Sequence, residues 1–133
     1  MRFFIRNFKW IMLVSGLLTC TMFLGLIAPD ASLISNFGET LDGPLADIIV
    51  RNWGALIGLM GIMLIYGTFD ESVRRFALII AGISKIIFIT LVLTSEKSFL
   101  GFGAGTAVIA DSIMVVLYIA YLVVSKQSNL TAE

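Results

Sequence analysis

The sequence predicts an all-α fold: an integral membrane antiparallel four-helix bundle with both termini cytoplasmic. Three observations carry this. Of 133 residues, 59% are hydrophobic and 14% charged, against roughly 45–50% and about 25% in a soluble domain. The apolar residues gather into four runs, each close to the ~20 residues a helix needs to cross a bilayer. The basic residues are distributed unevenly between the two ends of those runs, and Lys/Arg-rich loops stay on the cytoplasmic side.

Residues 1–133 form a single transmembrane domain. The first span covers about residues 10–28, from Trp10 to Ala28, and stops at Pro29-Asp30. Its basic start, MRFFIRNFK, suits a signal peptide, but the apolar run exceeds a usual h-region and no A-x-A site follows. A retained helix is expected. An outer loop over 29–52 follows, and within it Asp42-Gly43-Pro44 marks a turn into a helix start. The second span covers 53–69, with a start near 45 as the alternative. The third covers 76–94 and the fourth 105–124. Arg2, Arg6, Lys9, Arg74, Arg75 and Lys126 fall on one side of these spans, and only Arg51 and Lys97 on the other. That bias places both termini inside.

Composition also excludes. Nine basic and nine acidic residues cancel, and no basic stripe suits a nucleic acid. Histidine is absent, which removes the usual haem and zinc ligand and proton shuttle. Cys20 is the single cysteine, so the chain has no internal disulfide and no C-x-x-C pair. No cofactor, metal site or catalytic residue is expected.

Two ionisable residues interrupt the spans: Lys85 in the third and Asp111 in the fourth. At about 1.5 Å per residue they lie roughly 15 and 21 Å from the cytoplasmic side. The offset of about 6 Å is within reach of a lysine stem. Consecutive antiparallel helices are neighbours as a rule, and an unpaired charge at that depth costs several kcal/mol. A Lys85–Asp111 pair inside the bundle is therefore expected. Ala77, Ala81, Lys85, Phe88 and Val92 share one helical stripe. Ala104, Ala107, Asp111, Met114, Tyr118 and Tyr121 share another. The small residues among them favour close helix packing.

Arg51 is the third candidate. It shares a stripe with Asp47, Gly54, Gly58, Gly61 and Ile65. Its guanidinium can turn outward to Asp47, or inward to Asp111, where the site would carry a local charge of +1. The three glycines allow close approach of another backbone, within the bundle or across a dimer. Ser15, Thr19 and Met22 share a face of the first span, whose hydroxyls can line a polar interior. Trp10, Trp53 and the three tyrosines suit interfacial anchoring. Gly101-Phe-Gly103-Ala-Gly105-Thr106 lacks the strand that a phosphate loop requires and is expected to be a flexible lead-in to the fourth span.

The four spans, the long loop after the first, and Arg51-Asn-Trp53-Gly54-x3-Gly58 opening the second resemble the BphX-like and wider DoxX-like small bacterial four-helix membrane proteins. The resemblance covers most of the chain. It implies a multi-pass protein of the bacterial inner membrane. The wider group includes proteins linked to quinone-coupled oxidation, but with no histidine and no cysteine pair no redox role passes to any residue here.

The leading expectation is a protein that binds or carries a small amphipathic or anionic ligand. Arg51 would attract it, Lys85 would contact its polar end and Asp111 would orient the lysine. The alternative is an accessory subunit, partnered by a larger membrane complex or a second copy, in which the ion pair fixes helix register. A membrane enzyme with Lys85 and Asp111 as acid and base ranks last, since an adjacent carboxylate favours the charged lysine.

Overall fold

In a computed structural model, residues 2–131 are described, with side chains for 2–129. Helix α1 (Arg2–Cys20) passes through a 3-10 turn at Thr21–Phe23 into the short α2 (Leu24–Ile27). A nine-residue helix, α3 (Pro29–Phe37), follows. Then come α4 (Pro44–Phe69), α5 (Glu71–Thr94), a 3-10 turn at Lys97–Gly101, and α6 (Gly103–Thr131). Four segments are long and apolar enough to cross a membrane: Arg2–Ile27, Pro44–Phe69, Glu71–Thr94 and Gly103–Asn129.

The helix boundaries have local causes. Pro29 and Pro44 sit at the first positions of α3 and α4, where a missing N–H costs nothing. Gly38 ends α3 with φ 74°, a left-handed cap that glycine adopts freely. Asp70 caps α5 by accepting the Ser72 N–H at 2.9 Å. Much of the expected outer loop is thus helical: α3 fills its first part and α4 takes up its end as one continuous helix from Pro44. The Gly101–Thr106 stretch is the end of a 3-10 turn and the first turn of α6.

The long helices run antiparallel around a ring. Gly16 of α1 faces Gly61 of α4 while Gly25 of α2 faces Gly54 of α4. A methyl added to Gly61 would lie 2.7 Å from the Gly16 carbonyl oxygen, and one added to Gly54 would lie 2.8 Å from the Gly25 Cα. The glycine stripe is therefore used within the bundle, where it brings two backbones together. On α5 and α6, Lys85 meets Asp111 while Val92 packs with Ala104. The ring closes between α1 and α6, where Phe8 stacks on Tyr121 with centroids 4.2 Å apart.

Phe8, Met12, Leu64, Leu78, Tyr118 and Tyr121 pack solidly at the end that holds the termini. Tyr118 and Tyr121 are core residues, not the interfacial anchors that their positions suggest, whereas Tyr66 is exposed. Arg74, expected as a loop cation, is also buried. It donates to the carbonyls of Gly67 and Thr68, both at 2.9 Å, and so closes the negative end of α4. Outward faces carry Leu17, Leu59, Ile87 and Ile113. Apolar residues outside and polar ones inside suit a bilayer as solvent.

Candidate functional site

Lys85 and Asp111 face each other across α5 and α6, with Lys85 Nζ 2.7 Å from Asp111 Oδ1. Their side chains are 9% and 17% exposed. The lysine also donates to Thr19 Oγ1 of α1 at 3.3 Å. Thr19 Oγ1 donates to the Ser15 carbonyl at 2.7 Å, so its lone pairs are left to accept from the lysine. One turn further along α1, Ser15 Oγ is hydrogen-bonded to the Tyr118 hydroxyl. With the tyrosine as donor, the serine proton goes to Met114 Sδ at 3.1 Å. Three helices are thereby tied together by one polar chain. The shared face of Ser15 and Thr19 was visible in the sequence; the Tyr118 partnership was not.

The ion pair is not sealed in packed side chains. It forms part of the wall of a partly open cavity of about 410 Å³ lined mainly by α1, α4, α5 and α6. The cavity lies on the side away from the termini, because the aromatic plug fills the other end. Ala81, Ala107 and Ala110 line it, so the small residues near the charges open space as well as permit packing. Ile57, Met60 and Phe88 give apolar walls, and Asn36 of α3 stands at the far end with Gly103 and Trp53.

Among the described residues, no protein group engages Asp111 Oδ2, and no fully buried side-chain N or O lacks a partner. That oxygen therefore keeps some exposure, and Asp111 borders the cavity. A lysine ammonium has three N–H donors, and the protein uses two. The site thus offers one acceptor and one donor side by side.

Arg51 takes the outward orientation. Its Nε lies 2.9 Å from Asp47 Oδ2 and its Nη1 donates to the Leu26 carbonyl at 2.7 Å. It does not line the cavity. Of the three candidate residues, the structure brings Lys85 and Asp111 together and leaves Arg51 tying α2 to α4. The charge at the cavity is then zero. Among the described residues no three His, Cys, Asp or Glu side chains gather as a metal site would require.

Comparison with family models, curated proteins and solved structures found no significant match to this chain.

Proposed function

We propose that the protein is a multi-pass inner-membrane protein that binds or carries a small amphipathic ligand, with its polar end at Lys85 and Asp111. The observation that carries this reading is the position of the ion pair at the wall of a cavity of about 410 Å³. That volume falls within the range of about 300–1,000 Å³ typical of ligand sites. The walls are apolar apart from a small polar set, which is the usual division between affinity and orientation. The free acceptor and donor favour a head that can give and take a hydrogen bond, such as a hydroxyl. A free carboxylate would meet the lysine and the aspartate equally, and Arg51 is too engaged to tip the balance. The anionic form of the ligand loses its support for this reason.

Both termini are assigned to the cytoplasm on the distribution of Lys and Arg. The cavity then lies toward the outer half of the membrane. Kinship with the BphX-like and DoxX-like proteins belongs to the same proposal and rests on the four-span order and the Arg51–Gly58 stretch.

Mass spectrometry of an organic extract tests the reading. Protein purified in mild detergent should carry a neutral amphiphile, and the Lys85→Met/Asp111→Leu variant should lack it. The same extract from both would overturn the proposal. A second reading, the accessory subunit, draws on the absence of unpaired fully buried side-chain atoms among the described residues: every polar atom shut away from the cavity has a protein partner, as a packing device requires. A stoichiometric partner that co-purifies with both proteins would favour that reading.

A further inference from the structure

A second cavity, of about 310 Å³, lies between α3, α4 and α5 and the 3-10 turn that follows α5. Its lining includes Leu33, Leu41, Ile49, Leu91 and Ser95. The hydroxyl of Ser95 donates its proton to the Leu91 carbonyl at 2.6 Å, so this space offers a ligand mainly apolar contact. Trp53 and Phe88 line both cavities. These two residues thus stand where the two cavities adjoin. Both residues are only half-buried, and the Trp53 ring has Phe37 as its aromatic neighbour, with centroids 6.1 Å apart. Leu41, Ile49 and Leu91, which flank the second cavity, are exposed on the outside of the bundle. Its mouth thus opens among exposed apolar side chains.

We propose that the ligand is a neutral single-chain amphiphile whose hydroxyl-bearing head sits at Lys85 and Asp111 and whose hydrocarbon chain passes between Trp53 and Phe88 into the second cavity. The inference rests on the ligand-binding reading above and specifies its substrate class. Three features combine. The charged pair stands at one end of the joined space, the second cavity beyond Trp53 and Phe88 is lined almost wholly by apolar side chains, and its far end is bordered by exposed apolar residues. Size agrees. From Lys85 to Ser95 along α5 is about 15 Å at about 1.5 Å per residue. With carbon–carbon bonds of about 1.5 Å laid in a zigzag, that distance takes about twelve carbons. A two-chain lipid does not suit a passage bounded by two side chains.

Binding of tritiated dodecanol to the purified protein in nanodiscs, with unlabelled hexanol as competitor, tests this. Leu91→Trp and Ile49→Trp each crowd the mouth of the second cavity from a different helix, at positions 60% and 57% exposed, where a larger side chain does not disturb the core. Wild type should bind dodecanol saturably. Lys85→Met/Asp111→Leu should lose that binding. Each tryptophan variant should weaken dodecanol by about tenfold or more, the scale of a misfit in an apolar pocket, while displacement by hexanol, which does not reach past Trp53, stays as in wild type. Undiminished dodecanol binding in both tryptophan variants would overturn the two-chamber proposal and leave the Lys85–Asp111 site standing. Absence of saturable binding in wild type, or its persistence in Lys85→Met/Asp111→Leu, would overturn both.

Discussion

The hydroxyl of Thr19 stands between Lys85 and the backbone of α1, accepting from Lys85 Nζ at 3.3 Å and donating to the Ser15 carbonyl at 2.7 Å. A single hydroxyl thereby orients the lysine toward Asp111 and the cavity. Thr19→Val keeps the shape and removes the acceptor. It should lower stability by about 1 kcal/mol, the scale of one hydrogen bond, and weaken ligand retention. Thr19→Ser should restore both. Thermal unfolding in detergent, together with quantification of bound amphiphile, reads the two effects.

The close approach of α1 and α4 predicts an intolerance to methyl groups. Gly61→Ala places a Cβ 2.6 Å from Cys20 Sγ and 2.7 Å from the Gly16 carbonyl oxygen. Overpacking of this kind costs about 1–3 kcal/mol. Gly101→Ala, where an added Cβ meets nothing within 4 Å, should leave the melting temperature near that of wild type. Equal effects from the two substitutions would contradict the packing described.

At the opposite turn, Asp70 supplies a pH dependence. The side-chain hydrogen bond from Ser72, and then the Ser72 N–H, hold its carboxyl below the usual carboxylate value. A lowered folded-state value means the cap contributes fully above the unfolded value of about 3.9. Its contribution is lost as pH falls through the lower folded value. Asp70→Asn keeps a capping oxygen without the titration. Unfolding scans between about pH 6 and about pH 3 should therefore show a shallower acid decline for the variant than for wild type.

Arg51 is tied to Asp47 and Leu26 and is 43% exposed on its side chain. Arg51→Gln should shift stability by less than about 1 kcal/mol, as exposed pairs do. Dodecanol binding should be unchanged. A large loss of binding would mean that the guanidinium turns inward when a ligand arrives.

Legibility differed among the residues of the site. Lys85 and Asp111 stand out because a charge inside a long apolar run has few ways to be satisfied, and helical rise alone places the two within reach. The sequence allows Arg51 two orientations because its stripe holds both an acidic neighbour and a path inward. Tyr118 and Tyr121 mislead because an amphipathic ring suits an interface and a core equally well. What decides is Ser15 and Phe8, which lie about one hundred residues earlier in the chain. Arg74 misleads similarly: its burial depends on the tight turn at Asp70 that brings the last carbonyls of α4 beside it. The helix α3 had its signals, Pro29 at the start, Asp30 in the first turn and Gly38 at the end. Nine residues are too short for apolar periodicity to reinforce them. The cavity has no sequence signature, since alanines beside a charge serve close packing and open space alike.

A double-mutant cycle on thermal stability decides whether the Lys85–Asp111 charges are there for a ligand. Lys85→Met and Asp111→Leu should each destabilise strongly, by about 3–5 kcal/mol, because each strands a buried charge. The double variant should melt above wild type, since two charges held at a cavity wall cost stability that well-packed apolar residues do not. A double variant that melts at or below wild type would show that the pair serves helix packing, and the ligand site would lose its foundation.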